Sequence, residues 1–270
     1  MRKRKNKRVA AGNNKGGTGK SGWVANVAAA LADEGCTVLV VDVDPQANVS
    51  RRLGRPYRKE EPLVTTAEVI KSGEVGAAAD GIVPCGWSGI YAERIHIIPS
   101  RFDLENRISE AAVIGSRGRL ARALEGVDDD YDFTLFDCQP SLGHLTQLAL
   151  AAARWGVALV EPEYDGVEGA VRFRDFIASE VNRKEMGNLD LAFAAAIPSM
   201  VDGRLAGHAH HLTSLPGIFG ESRVWESIPR RSVIKDAADE AQPLADQGSR
   251  GNEMREVYKT AALRMIKEFA

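Results

Sequence analysis

Short apolar runs alternate with stretches of helical periodicity along most of this chain. The apolar runs predict β-strands at residues 9–12, 38–42, 95–99, 133–137, 157–160, 191–197 and 223–226. Most of these runs are rich in Val, Leu, Ile and Ala and lack a polar face, which is typical of parallel strands covered on both sides. The pattern predicts an α/β fold: a single domain with a mostly parallel, twisted sheet and helices on both faces.

Three regions depart from this alternation. Residues 55–88 are rich in Gly, Pro and charge, and within them a helix is predicted at Thr66–Ser72. Residues 252–270 have apolar positions at helical spacing, so we predict a helix that docks on the body. A membrane-binding amphipathic tail is the less favoured alternative, because Glu residues interrupt its basic face. Six of residues 2–8 are basic, and residues 1–8 are predicted to form a flexible arm before a domain at 9–270.

Composition narrows the class of protein. The chain has 270 residues and a net charge of −2, so any binding of nucleic acid must come from a local basic patch. Its three cysteines have no metal-type spacing and are expected to be reduced thiols. No apolar run is long enough for a transmembrane helix, and the basic start is not followed by the apolar segment of a signal peptide. We therefore expect a cytoplasmic protein.

Residues 9–22 carry the strongest chemical signal. An apolar strand, a glycine-rich turn and a helical pattern follow one another, which is the context of a phosphate-binding loop. Glycine lets backbone N–H groups approach an anion, and the helix N-terminus adds partial positive charge. Lys20 is expected to reach the β- and γ-phosphates, and the Ser21 hydroxyl to ligate Mg²⁺. The predicted nucleotide contacts here are Lys15, Gly16, Gly17, Thr18, Gly19, Lys20, Ser21 and Gly22.

This loop departs from the usual phosphate-loop pattern at its start. Asn14 stands where that pattern has glycine, and a second lysine, Lys15, follows it. The string Lys-Gly-Gly-Thr-Gly-Lys-Ser resembles the deviant Walker A motif of the ParA/MinD ATPases. The resemblance implies that ATP is the nucleotide and that Lys15 crosses a homodimer interface to the partner's phosphates. Lys15 and Lys20 are thus both expected to act in catalysis.

Two further aspartates follow predicted strands. Asp44 begins Asp-Pro-Gln-Ala-Asn, which resembles switch I of the same family; the resemblance implies that Asp44 orients the attacking water beside the metal. Asp137 ends an apolar strand in the manner of a Walker B motif, in which the carboxylate holds Mg²⁺. Gln139 replaces a proline that the family usually has, which is expected to loosen this segment. Arg154 replaces an aspartate, with no predicted effect.

The resemblance continues through the last third of the chain, around Ile-Pro-Ser-Met-Val-Asp-Gly-Arg and Ile-Pro-Arg-Arg. It implies that Pro198, Met200 and Pro229 form apolar walls for adenine. It also implies a basic DNA-binding surface, for which the candidates are Arg204, Arg223, Arg230, Arg231 and Lys235. Since no helix-turn-helix precedes residue 9, the chain resembles the short ParA and Soj proteins.

The resemblance predicts a weakly active, Mg²⁺-dependent ATPase for plasmid or chromosome partition. An ATP-bound homodimer would bind double-stranded DNA without sequence preference on the nucleoid, and a ParB-like partner would stimulate hydrolysis, with no membrane involved. The alternatives are a MinD- or TadZ-like positioning ATPase and a non-hydrolysing interaction module. The basic arm is a competing DNA contact. His208, His210 and His211 are predicted to lie on a solvated helix face, because no Cys or carboxylate stands at ligand spacing.

Overall fold

The computed structural model describes residues 7–269, which form one α/β domain around a seven-stranded sheet. The strands are β1 (Lys7–Gly12), β2 (Val38–Val43), β3 (Val83–Pro84), β4 (Ile95–Ile98), β5 (Phe133–Cys138), β6 (Trp155–Val160) and β7 (Ala192–Pro198). The helices are α1 (Lys20–Asp33), α2 (Asn48–Arg52), α3 (Thr66–Ser72), α4 (Ile90–Arg94), α5 (Arg119–Ala123), α6 (His144–Ala152), α7 (Tyr164–Ala178), α8 (Glu180–Met186), α9 (Ala206–Phe219), α10 (Ser232–Asp239) and α11 (Gly248–Glu268).

The strand order is β3-β4-β2-β5-β1-β6-β7, and every pairing is parallel except that of β3 with β4. Successive side chains of a strand point to opposite faces. Accordingly, Val38 and Val40 pack with α1 and α11 on one face, while Leu39 and Val41 pack with α3, α5 and α6 on the other. Both cores are apolar, which explains the near-continuous hydrophobic runs and confirms the predicted fold class.

One predicted strand is wrong, and one strand was not predicted. Residues 223–226 do not form a strand; the 3₁₀ turn Glu221–Arg223 leads into single bridges, Val224 to Ala196 and Pro229 to Val201. The unpredicted strand, β3, has only two residues, and its backbone pairs antiparallel with β4 at the sheet edge. Both errors occur at the edges of the sheet, where burial leaves the weakest imprint on the sequence.

The ends of the described chain are tied to the body. β1 begins at Lys7, two residues before the predicted strand, and Arg8 pairs with buried Asp128 at 2.6 Å. The other residues of the predicted arm, 1–6, lie outside the described residues. Helix α11 begins at Gly248 rather than 252 and buries Tyr258 and Met265 against α1, so the predicted docking is confirmed. Across residues 7–269, no helix combines the length and apolarity that a membrane span requires.

Candidate functional site

The phosphate loop, residues 12–19, joins β1 to α1 at the carboxyl edge of the sheet. Ligands in open parallel sheets bind beyond this edge. Gly19 has a φ of 81°, a left-handed conformation that glycine adopts without strain, and it immediately precedes the first helical residue, Lys20. Gly16 and Gly17 are exposed. The loop thus presents open backbone at the N-terminus of α1, where an anion is stabilised by the helix dipole.

Lys20 lies beneath this loop, and its ammonium donates a hydrogen bond to the Lys15 carbonyl at 3.2 Å. Burial lowers the pKa of Lys20 below its ordinary value, while the charges of Asp137 and Asp44 oppose that shift. The three side chains therefore converge at the loop, as their positions in the sequence predicted. A buried ammonium without a full ion pair is suited to bind an incoming phosphate.

Asp137 occupies the end of β5, and its carboxylate is fully buried. Neither carboxylate oxygen has a hydrogen-bond partner among the described residues. Burial raises the pKa of Asp137 to about 7; the Ser21 side chain opposes this shift, and the charge of Asp44 adds to it. A buried carboxylate is normally compensated by a cation or hydrogen-bond donors, so this position is built to receive a cation.

Asp42, the register partner of Asp137 on β2, has a different task. Its carboxylate accepts hydrogen bonds from the Ser50 hydroxyl at 2.6 Å, the Ser50 amide at 3.0 Å and the Asp44 amide at 3.1 Å. The Ser50 hydroxyl in turn accepts from the Ser100 amide at 2.9 Å. Burial and the neighbouring Asp137 raise the pKa of Asp42. Asp42 therefore fixes the segment that follows β2 and leaves Asp137 and Asp44 to meet a ligand.

Switch I, residues 44–48, is a tight turn between β2 and α2. The Asp44 carboxylate accepts from the Gln46 amide at 2.9 Å, and burial raises its pKa. Ala47 adopts a φ of 52°, which costs a residue with a side chain about 1–2 kcal/mol. This strained turn holds the Asp44 carboxylate beside the phosphate loop, where a water-orienting group is expected.

Lys15 is held by two carboxylates that the sequence analysis did not single out. Its ammonium donates hydrogen bonds to Glu161 and Glu163, each at 3.3 Å. Burial alone would lower the pKa of Lys15, but these hydrogen bonds and charges outweigh it and raise the pKa. The other oxygen of Glu163 lies 3.6 Å from the Nε2 atom of His208. The Lys15 side chain thus points to the start of α7 and not to Asp137.

Helix α7 packs directly against the phosphate loop. The Asn13 side chain donates to the carbonyls of Leu159 and Gly166 at 2.7 and 3.0 Å and accepts from the Lys15 amide at 2.9 Å. A Cβ atom at Gly169 would lie 2.2 Å from the side-chain oxygen Oδ1 of Asn13. Glycine at position 169 therefore permits the close approach that fixes the start of the loop.

The predicted adenine walls lie next to the loop on its other side. Pro198 ends β7, and the Ser199 hydroxyl donates to the Thr18 carbonyl at 2.7 Å. Met200 has a φ of 57°, and its side chain lies against Gly19. Val201 bridges to Pro229. The structure therefore brings all three predicted wall residues, Pro198, Met200 and Pro229, to the edge of the sheet that carries the phosphate loop.

Switch II, residues 137–143, is closed by its own side chains. Gln139 donates to the Ser141 hydroxyl at 3.0 Å, and this hydroxyl accepts from the Gly143 amide at 3.2 Å. A hydrogen-bonded turn thus takes the place of the proline that was expected to stiffen the segment. Arg154 lies outside the site, with its guanidinium 4.4 Å from the Trp155 ring centroid.

The predicted DNA-binding residues do not share one face. Arg230 and Arg231 follow the bridge at Pro229, near the carboxyl edge, and Lys235 lies on the adjoining α10. Arg204 is bound to Asp202 at 2.6 Å in the loop after β7. Arg223 precedes the bridge to Ala196 in the middle of β7, so it lies towards the opposite end of that strand. Arg223 and the Arg230–Arg231 pair flank the strand predicted at residues 223–226, which was the reason to expect them on one face. Because those residues form no strand, that reason is wrong.

The histidine prediction is wrong for one residue. His210 is exposed and His211 partly exposed, whereas His208 is buried; its Nδ1 atom accepts from the Asp202 amide at 3.1 Å. His208 thereby connects the loop after β7 to Glu163. Position in the fold could have indicated Glu161 and Glu163, since both follow β6 at the carboxyl edge. Nothing in the local sequence indicated His208.

The arrangement fits a magnesium-bound nucleoside triphosphate. Asp137 supplies buried oxygens that accept no hydrogen bond in the described part of the chain, and Asp44 and Ser21 add oxygen ligands at the same edge. Mg²⁺ prefers such ligands, and typically one or two carboxylates bind it together with substrate phosphates. The buried Thr18 hydroxyl also lacks a partner among the described residues. The donor set therefore matches the metal and the anion that the sequence predicted.

Comparison with known proteins identifies similar chains. Residues 6–191 match the AAA_31 family model, described as an AAA domain. The sporulation initiation inhibitor protein Soj of Bacillus subtilis (strain 168) is 31% identical over 249 residues, which cover 91% of this chain and 94% of that protein. The chromosome-partitioning ATPase Soj of Thermus thermophilus is 32% identical over 248 residues, covering 91% and 90%. The structure of cobyrinic acid a,c-diamide synthase from Mycobacterium smegmatis with bound ADP and magnesium has a TM-score of 0.76 and 28% identity, covering 98% of this chain and 97% of that one.

Proposed function

Because this chain belongs to the AAA_31 family and, with the Soj proteins, to the ParA/MinD superfamily of partition ATPases, we propose that it hydrolyses ATP with Mg²⁺ to partition DNA. Its ATPase activity in the absence of a partner protein would be weak. The ATP-bound form would be a homodimer that binds double-stranded DNA without sequence preference on the nucleoid. A ParB-like partner would accelerate hydrolysis and release the DNA.

The site residues divide the work of phosphoryl transfer by position. The amides of residues 16–19 and the Lys20 ammonium bind the β- and γ-phosphates, while Ser21 and Asp137 hold the metal. Mg²⁺ held by these residues would supply positive charge that stabilises the charge developing on the transferred phosphoryl group. Asp44 orients the attacking water from switch I. Lys15 crosses to the phosphates of the partner subunit, so hydrolysis requires the dimer.

A single observation carries this proposal: among residues 7–269 the buried Asp137 carboxylate accepts no hydrogen bond, and it lies where its charge acts on Lys20 beneath the phosphate loop. If this position had only a structural role, the buried carboxylate would destabilise the fold and bind nothing in compensation. Asp42, its fully hydrogen-bonded neighbour in the register, shows that the fold satisfies a carboxylate where no ligand is needed.

The test compares the two lysines of the loop. Lys20→Ala removes a phosphate contact within the subunit, so ATP binding is expected to fall. Lys15→Ala is expected to leave ATP binding intact but to abolish ATP-dependent dimerisation and to slow hydrolysis by about 10³–10⁵-fold, as for other cations supplied in trans. Calorimetry, light scattering and phosphate release measure the three quantities. A Lys15→Ala protein that dimerises and hydrolyses ATP normally contradicts the proposal.

Two further assays separate the rival functions. A positioning ATPase of the MinD or TadZ type would co-sediment with lipid vesicles in the presence of ATP. A non-hydrolysing interaction module would dimerise on ATP without releasing phosphate, even with DNA and a partner present. The partition proposal expects no lipid dependence and expects hydrolysis that rises when DNA and a ParB-like partner are added.

A further inference from the structure

A second cavity lies at the other end of the sheet from the phosphate loop. It has a volume of about 250 Å³ and opens between α7, α8 and the start of β7. Three arginines line it, Arg174, Arg183 and Arg223. An apolar wall is formed by Ile177, Leu191 and Phe193. Among the residues that the structure describes, no carboxylate lines the cavity. The proposed ATPase site uses none of these residues.

The three arginines differ in how their charges are compensated. Arg174 is fixed by Asp175 at 2.8 Å and by the Ile218 carbonyl at 2.6 Å. Arg183 donates only to the Leu189 carbonyl at 3.3 Å, and its Nε is buried without a hydrogen-bond partner. Arg223 is exposed. Within residues 7–269, no carboxylate lies within ion-pair distance of Arg183 or Arg223. The cavity therefore holds two uncompensated guanidinium groups.

Guanidinium groups bind carboxylates and phosphates through paired hydrogen bonds. The apolar wall favours a carboxylate ligand that brings an apolar group with it, because Ile177, Leu191 and Phe193 offer nothing to a bare phosphate backbone. A short acidic segment with one apolar side chain meets all of these conditions.

The backbone beside the cavity suits an extended ligand. β7 is the edge strand of the sheet, and within residues 7–269 its free edge forms a single backbone bridge, from Ala196 to Val224. Ala192, Phe193 and Ala194 remain partly exposed. An exposed strand edge is a template for an added strand, with pockets for alternate side chains giving specificity. We infer that this cavity binds an acidic peptide segment of a partner protein, with its carboxylates on Arg183 and Arg223 and an apolar side chain on Phe193.

The experiment measures peptide binding to the full chain without nucleotide, so its outcome does not depend on the ATPase proposal. The probes are fluorescent N-acetylated octapeptides of Asp and Glu, each with a single Leu, Ile or Phe at a varied position. Matched peptides carry Asn and Gln instead. Fluorescence anisotropy is expected to show binding of the acidic set alone. Arg183→Gln and Arg223→Gln should each weaken it about ten-fold or more, the loss of one charge-assisted contact.

Arg172→Gln is the matched control, since Arg172 lies on α7, which borders the cavity, is mostly exposed and pairs with Glu168 outside the cavity. It should leave peptide binding unchanged. Binding of the amide peptides as tightly as the acidic ones, or binding that survives both arginine changes, overturns the inference. So does the absence of binding by every acidic peptide. Loss of ATP-dependent DNA binding in Arg183→Gln and Arg223→Gln, without peptide binding, would assign the cavity to the DNA surface instead.

Discussion

Lys15 forms an ion pair with Glu163 of its own chain, with 3.3 Å between the ammonium and the carboxylate oxygen. Glu161 binds the same ammonium at the same distance. If Lys15 acts on the partner's phosphates, as we propose, it must first leave both carboxylates. The two glutamates therefore compete with the dimer for one cation.

Replacing both glutamates, Glu161→Gln with Glu163→Gln, should favour dimerisation. The ATP concentration for half-maximal dimerisation is expected to fall about two- to five-fold, because partly exposed ion pairs contribute up to about 1 kcal/mol. ATP affinity of the monomer should not change. Light scattering during an ATP titration measures the shift.

Glu168→Gln is the control for this double variant, since Glu168 lies on α7 but pairs with Arg172 away from the loop. Its titration should coincide with that of the wild type. A double variant that needs more ATP than the wild type would show that Glu161 and Glu163 assist the dimer and do not restrain Lys15.

Asp137→Asn should stabilise the nucleotide-free protein and abolish its stabilisation by Mg²⁺ and ATP. Burial raises the pKa of Asp137 to about 7. Because the pKa of Asp137 is raised on folding, the protonated carboxyl contributes its full stability to the folded protein below about pH 4, the ordinary pKa of an aspartate. This contribution is lost as the pH rises from about 4 towards 7. The melting temperature of the variant should therefore exceed that of the wild type most at pH 8 and least at pH 4, by about 2–4 °C per kcal/mol.

Asp42, the register partner of Asp137 on β2, provides a contrast to Asp137→Asn. Asp42→Asn disrupts three hydrogen bonds to Ser50 and Asp44, and this loss offsets the relief of a buried charge whose pKa is also raised. Its melting temperature should therefore lie below that of Asp137→Asn at pH 8 and below that of the wild type at pH 4. Equal effects of the two substitutions would show that the distinction between the satisfied and the unsatisfied carboxylate is wrong. Differential scanning fluorimetry across the pH range, with and without Mg²⁺ and ATP, gives both measurements.

Gly169→Ala should damage the phosphate loop from a distance. Its new methyl group would meet Asn13 at 2.2 Å, and such overpacking costs about 1–3 kcal/mol. Because Asn13 anchors the amide of Lys15, ATP affinity should fall as well. Gly207→Ala on α9 is the control, since no atom lies near the added methyl group and alanine favours a helix. Equal ATP affinity in both variants would contradict the role given to this contact.

Arg230→Ala combined with Arg231→Ala should weaken ATP-dependent binding of all duplexes alike. Each lost phosphate contact makes the negative slope of log affinity against log salt less steep by about 0.9. ATP binding itself should persist. Arg223→Gln is the comparison, because the structure places Arg223 in the second cavity, and it should leave the salt slope unchanged. Anisotropy of labelled DNA at several salt concentrations decides between these outcomes.

The central sheet could be predicted from the sequence because burial on both faces leaves continuous apolar runs. β1, β2, β5 and β6 were all predicted within two residues of their ends. The phosphate loop and Asp137 could be predicted for a related reason: residue types at fixed spacing after a strand determine both place and chemistry. The short edge strand β3 and the single bridges of Val224 and Pro229 lack such a signal.

Contacts between distant segments could not be predicted in the same way. The pairing of Lys15 with Glu163 joins residues 148 positions apart, and that of Asp202 with His208 depends on the turn before α9. The cavity at Arg183 and Arg223 likewise arises only when α8 and the turn Glu221–Arg223 meet β7. These features depend on tertiary packing and not on local pattern.

The hydrogen bond from Ser199 to the Thr18 carbonyl joins the segment of Pro198 and Met200, which we propose to contact the base, to the phosphate loop. A displacement of one therefore moves the other, so the free energy of holding the triphosphate and that of selecting the base are not independent. Discrimination between adenine and guanine should consequently differ between the triphosphate and the diphosphate, even though neither phosphate chain touches the base.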